Sequence, residues 1–196
     1  VTSNNVLPIY SLNKISKAYS SNFYDHRIYN LGGGEYGVET AIGIDALTGS
    51  STFIFADKSL NVATDIKASF DQVTGLNTHD AKIFRLYNAA FSRFPDADGL
   101  KYWIGKFSSG ENDLRAIASS FLTSNEFVER FGENITDAIY VETLYTNILG
   151  RDYDRAGYNY WLENLNEGKE TRYELLLGFA ESTENKILFS EMTGFY

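Results

Sequence analysis

The chain has 196 residues, 43% of them hydrophobic and 22% charged, a composition that can bury its own core and that lies far from a disordered segment. Seventeen Lys and Arg stand against 26 Asp and Glu, a formal charge of −9, so the average surface repels phosphate backbones and anionic headgroups and argues against a nucleic-acid partner. There is no Cys, and His26 and His79 are the two imidazoles, which removes thiolate chemistry, disulfides and Cys-based zinc sites together.

No apolar run approaches the roughly 18–20 residues needed to span a bilayer, so membrane insertion is not expected. Val1–Ser11 lacks the basic start and apolar core of a secretory signal, which fits a processed product, a fragment, or export by another route. From Ile15 to Val62 the pattern is of strands and turns. Phe23, Tyr24, Ile28, Tyr29 and Leu31 run into Gly32-Gly33-Gly34 and then Tyr36-Gly37-Val38, which predicts two strands joined by a glycine turn. After the turn-like Leu47-Thr48-Gly49-Ser50, Phe53–Phe55 and Leu60–Val62 predict a second pair. Four short strands carry too many aromatics to hide on one face. Phe23, Tyr24, Tyr29, Tyr36, Phe53 and Phe55 need a covering layer, expected from the chain's own helices, with a remaining open edge offered to another copy. Phe70–Gly75 reads as a connector.

From Asn77 the period becomes helical, with Ile83, Leu86, Tyr87, Ala90 and Phe91 echoed by Val141, Leu144, Tyr145, Ile148 and Leu149. Sliding the sequence by 58 positions aligns 86–132 with 144–190 without a gap and yields twelve identical pairs, where chance gives about three. Among them are Tyr87/Tyr145, Arg93/Arg151, Asp96/Asp154, Gly99/Gly157, Tyr102/Tyr160, Trp103/Trp161, Phe121/Phe179, Ser124/Ser182 and Glu126/Glu184. Each copy reads as four short helices. The first ends near Ser92 or Gly150, Asp96 or Asp154 caps the second, and Gly110 or Gly168 ends it. Thr123 and Glu126 have capping-box spacing before the fourth helix, a box weakened in the second copy by Glu181. The expected fold class is therefore α+β: a small amino-terminal β-hairpin region over residues 1–75, then a mostly α tandem helical repeat over 76–196, with copies at about 78–133 and 136–191.

The run Leu86–Trp103, with its Leu-Tyr, Arg, Pro-Asp, Gly and Tyr-Trp positions, together with Phe121, Ser124, Glu126 and Phe127, resembles the domain of unknown function numbered 4214 over roughly residues 70–196. The second copy departs from it at Tyr153, which replaces Pro95, and at Asn185, which replaces Phe127. The resemblance implies a bacterial protein, often secreted, in which the domain follows repeats-in-toxin calcium-binding arrays or sits in surface-layer, adhesin-like or polysaccharide-active proteins. The segment Phe53–Val62 is similar to the stretch that joins such arrays to the domain, and the Tyr-rich amino-terminal part gives a layout similar to proteins of marine cyanobacteria. It implies a location, extracellular or cell-surface, and no reaction.

The loops Asp96-Ala97-Asp98-Gly99 and Asp152-Tyr153-Asp154 hold the carboxylates that calcium, the one ion these loops suggest, would need. Only Asp96/Asp154 is kept between copies, and neither loop has the full helix-loop-helix calcium pattern, so helix capping is the plainer reading and no cofactor is expected. Tyr102 and Tyr160 are candidates for stacking on sugars. Adjacent helical residues diverge by about 100°, so the neighbouring Trp103 and Trp161 are expected to be buried while the tyrosines sit at the rim. Arg93 and Arg151 are expected to clamp Asp96 and Asp154, or to hold an anionic glycan. Tyr29 and Tyr36 are candidate interface residues of the strands, and His26 and His79 are expected at the surface. Asn134-Ile135-Thr136 matches a glycosylation sequon but reads as a turn with Thr136 capping the next helix. No Gly-x-Ser-x-Gly elbow, phosphate loop or picked-out carboxylate pair argues for an enzyme. The expected function is a non-enzymatic interaction or assembly module, with protein as the first partner and polysaccharide as the second. A helical linker of the light-harvesting kind is a third reading, against which the charge of −9 counts.

Overall fold

The computed structural model of the chain describes residues 15–49 and 51–196; the Val1–Ser11 segment and the Ser50 end of the Leu47–Ser50 turn lie outside them. The architecture is α+β, with six short strands among the described residues followed by helices. Strand β1 (Ser16–Ala18) runs parallel to β5 (Thr52–Ile54), which pairs antiparallel with β6 (Ser59–Asn61). A second sheet has the order β2 (Ile28–Gly32), β3 (Glu35–Thr40), β4 (Gly43–Thr48), antiparallel throughout.

The glycine turn forms as the sequence predicts: Gly32, Gly33 and Gly34 all take positive φ between β2 and β3, a conformation that costs glycine nothing. Three details differ from expectation. Phe23-Tyr24 lies in a 3-10 turn (Phe23–Asp25) rather than a strand, with Asn22 and Asp25 capping each other. Leu47-Thr48 ends the strand β4, which alternation conceals because its outward positions carry Ile44 and Ala46 while an inward one, beside the buried Leu47, carries Asp45. Asp45 faces inward with its charge met by Lys17 Nζ at 2.9 Å and the Tyr19 hydroxyl at 3.1 Å, and the Lys17 hydrogen bond, foremost, holds its carboxyl below the usual range. The expected connector is not a passive link. Asn61 caps a π-helical turn (Val62–Lys67) by accepting from the Ala63 and Thr64 amides, the turn runs into α1 (Ala68–Phe70), and Val62, Ile66, Phe70 and Val73 are all buried.

The repeat is α2 (His79–Phe91), α3 (Ala97–Ser108), α4 (Leu114–Leu122) and α5 (Asn125–Phe131), then α6 (Asp137–Leu144) with a π turn (Tyr145–Leu149), α7 (Arg155–Asn166), α8 (Arg172–Ala180) and α9 (Thr183–Thr193). Helix starts at 79, 97, 114 and 125 recur at 137, 155, 172 and 183, each shifted by the 58 residues found in the sequence. The fourth-helix cap is Ser124, accepting from the Phe127 amide, and Ser182 does the same for Asn185. Thr123 instead bonds back to the Ser119 carbonyl, so the expected Thr123/Glu126 box is replaced by a serine cap that both copies keep.

Two apolar clusters organise the chain. One joins the halves of the repeat, with Leu86, Ile117 and Phe121 against Leu144, Leu175 and Phe179, where α8 packs on α2 and α4. The other is shared between the strands and the helices: Phe23, Ile28, Val38, Phe53, Ile66 and Phe70 meet Phe84, Phe94, Leu100, Phe189 and Met192. Phe70 is its hub, 5.8 Å from Tyr36, 6.0 Å from Phe84 and 4.9 Å from Phe94. The covering layer that the aromatics of the strands require is thus the chain's own repeat, and one core runs across residue 75.

Candidate functional site

The loop between the first two helices of each copy carries most of the identities. In the first copy the Asp96 carboxylate accepts from the Gly99 amide at 2.7 Å and from the Tyr87 hydroxyl at 2.6 Å. Gly99 is required by close approach: a Cβ there would meet Asp96 Oδ1 at 2.8 Å and the Tyr87 hydroxyl at 2.9 Å, and Gly157 stands under Tyr145 and Asp154 in the same way. Burial opposes ionisation of Asp96, but the Tyr87 hydroxyl, the Gly99 amide and Arg93 outweigh it and hold the carboxyl below its ordinary value. Burial, chiefly, and the bond to Asp96 push the Tyr87 hydroxyl up.

The arginines pair with their aspartates as expected and do more. Arg93 reaches Asp96 at 3.4 Å and also makes a forked pair with Glu126, 33 residues on, at 2.9 Å through Nη2. Arg151 repeats this with Glu184 at 2.7 and 3.0 Å, while Asp154 lies 3.8 Å away. Each arginine therefore bolts its loop to the start of the fourth helix. Both residues of the pair are identical in the two copies, and that shared retention was the signal for the contact. The copies differ in burial: the Arg93 side chain is 12% exposed, with the Phe23 ring 5.9 Å from its guanidinium, and Arg151 is 41% exposed.

A second buried cation has no counterpart in the other copy and no sequence signal. Arg85 is enclosed on α2 and forks onto Glu181 at 2.8 and 2.9 Å while donating to the Leu76 carbonyl at 2.7 Å. It ties the first copy to the second across 96 residues of chain.

Of the residues singled out in the sequence, Tyr102 and Tyr160 are 55% and 56% exposed, each set edge-on against the adjacent tryptophan at 5.0 and 4.8 Å. Trp103 and Trp161 are half-buried rather than buried, resting on Phe121 at 5.1 Å and Phe179 at 5.8 Å, because one ring edge stays beside the exposed tyrosine. Their environments match, but truncation of either removes less packing than the about 3–5 kcal/mol of a fully enclosed ring. Tyr36 is buried against Phe70, so it serves packing within the chain and is unavailable to an outside ligand; residue alternation on β3 turns it inward beside Val38. Tyr29 is half-buried, packed at the margin of the strand–helix core, its hydroxyl reaching Glu39 at 3.4 Å. His26 is held at mid-depth between Ser21 Oγ and the Glu39 carbonyl, both at 2.6 Å, and exposed His79 rests on Phe107.

Where the strands meet both copies there is a cleft of about 280 Å³ that includes Arg27, Arg93 and the π turn. Arg27 lies against Gly150, where a Cβ would stand 2.6 Å from Nη2; its equivalent, Ser92, takes φ 47° without a glycine. Asp96 and Asp154 are engaged in capping, and among the described residues no three carboxylate, imidazole or thiol groups converge. No helix among the described residues is long and apolar enough to cross a membrane.

A family model described as Domain of unknown function (DUF4214) matches residues 118–189, from the end of α4 through α9. The matched stretch covers the last helices of the first copy and nearly all of the second, and it begins after the Leu86–Trp103 run. No curated protein and no solved structure matches the chain.

Proposed function

We propose that the chain is a non-catalytic interaction module of a secreted or cell-surface bacterial protein, assembling with copies of itself. The observation that carries this reading is the outer face of the β2–β3–β4 sheet. Leu31 and Ile44 close over Gly37, where a Cβ would overlap Ile44 Cγ2 and meet Leu31 Cδ1 at 3.1 Å, and Ile42 at the neighbouring turn is 99% exposed. Strand β4 ends the sheet, and among the described residues no strand pairs with its outward edge. An apolar face beside an open edge is a template for strand addition. The extracellular, repeats-in-toxin or surface-layer setting and the cyanobacterium-like layout are supported by the family resemblance.

Sedimentation velocity over about 10–500 µM, a range that brackets weak association, tests it: the sedimentation coefficient should rise with concentration, and Ile44→Lys should abolish the rise. A chain that stays monomeric throughout overturns self-assembly.

Polysaccharide binding is the second reading, favoured by the matched exposure of Tyr102 and Tyr160 at equivalent positions of α3 and α7. A glycan array with signal lost in the Tyr102→Ala, Tyr160→Ala double variant supports it.

A further inference from the structure

In the first copy the loop from Arg93 to Leu100 is roofed. Phe94, Pro95 and Leu100 are buried beneath the segment 62–73, with Ser69 Oγ donating to the Pro95 carbonyl at 2.8 Å and Gln72 Nε2 to the Ala97 carbonyl at 2.9 Å. The positions 58 residues on are Asp152, Tyr153 and Tyr158; the first two are exposed, and Tyr158 is half-buried against the repeat core with Tyr153 over it. Tyr153 and Tyr158 lie with ring centroids 4.4 Å apart and planes within 26°, the closest ring pair in the described chain. Tyr153 is 42% exposed, and Asp152, Asp154, Arg151 and Arg155 around it are all exposed.

We propose that the outer face of Tyr153, with Tyr158 stacked behind it, forms a saccharide platform, present only in the second copy, that takes a neutral pyranose ring of a polysaccharide. The C–H face of such a ring packs on an aromatic face, and the hydroxyls at its rim need donors and acceptors in the same plane. Asp152 and Asp154 supply acceptors and Arg151 and Arg155 supply donors. Two carboxylates offset two guanidiniums, and Glu184 adds a further negative charge, so nothing here selects an anionic sugar. A second copy's segment 62–73 is not the occupant, because that roof packs on Phe94, Pro95 and Leu100, and Asp152 and Tyr153 put a charge and a hydroxyl in place of the first two. The proposal rests on the polysaccharide reading but uses residues other than Tyr102 and Tyr160, so each fails separately.

The probes are neutral hexasaccharides of β-1,4-linked glucose, N-acetylglucosamine and mannose, titrated into the full chain by calorimetry and by NMR of the tyrosine ring signals. At least one should bind, with the Tyr153 and Tyr158 signals shifting, and Tyr153→Ala should weaken it by about tenfold, the scale of one stacked ring. Tyr153→Phe should retain the binding. Absence of binding by all three probes, or binding insensitive to Tyr153→Ala, overturns the platform; binding lost only in the Tyr102/Tyr160 variant overturns it while upholding the second reading above. Melting temperature of each variant, measured alongside, separates lost contact from lost fold.

Discussion

Two copies of one helical unit occupy this chain with the same skeleton and opposite surroundings. The tyrosine, arginine, aspartate, glycine and glutamate that build the inter-helix loop are the same in both, down to the Arg–Glu fork over 33 residues. What lies over that loop is not: strands and the 62–73 segment over the first, solvent over the second. Identical positions therefore report what the unit needs to fold, and differing positions report what each face meets. Phe94 and Pro95 are buried because the 62–73 segment covers them, and Asp152 and Tyr153, without that cover, are exposed.

The largest expected effect comes from removing the cover. Deleting residues 1–69 exposes Phe84, Phe94, Leu100 and Phe189 at once, and the remaining repeat should aggregate or lose its cooperative melting transition. A truncated repeat that stays monomeric with an unchanged melting temperature breaks the comparison. At single positions, Phe94→Ala should cost about 3–5 kcal/mol in urea unfolding, against within about 0.5 kcal/mol for Asp152→Ala at the equivalent exposed site. Equal costs would show that the roof is not load on the first copy. Glu181→Ala, which strands the enclosed Arg85 without its carboxylate, belongs in the same range, about 3–5 kcal/mol.

Smaller differences follow from the forks. Glu126→Ala removes the forked partner of the sheltered Arg93, leaving it the more distant Asp96, and should cost about 1.5–3 kcal/mol, whereas Glu184→Ala removes a solvent-screened pair and should cost about 0.2–1 kcal/mol; the same chemical denaturation series reads both. The smallest effect is in pH. The Asp96 carboxyl is depressed in the folded state, so its contribution is fully present above its unfolded value and is lost as pH falls through the folded one. Asp96→Asn should therefore flatten the stability curve on the acid side of the ordinary aspartate range, measured by melting temperature at each pH.

The repeat, its helix starts and the Asp96 and Asp154 caps were legible because they are local or are stated twice in the sequence. So were the two hairpins, announced by Gly32-Gly33-Gly34 and by Ala56-Asp57-Lys58. Strand β1 was not, since three residues carry no period, and β4 was hidden by an inward Asp45 whose partners come from another sheet. Adjacent Thr123 and Ser124 offer the same cap chemistry, and only backbone geometry chooses the second. Duplication could have revealed the Arg93–Glu126 fork, but nothing in the chain announces Arg85–Glu181, a contact made once and across the whole repeat. The burial of Tyr36 and the openness of Tyr153 depend on what covers them, which a local reading does not contain.

Strand β2 packs on α9, so an element that ends at Gly32 completes its surface with one that ends at Thr193. On a ribosome the strands emerge well before α9 and must wait, their apolar face unmatched, until residues up to about Thr193 have been made. Closing a loop of that length is slow, because its entropy is spent before the contact forms. This core is thus unfinished for the whole interval between the synthesis of β2 and that of α9, and during it the nascent strands are a surface that a chaperone would meet.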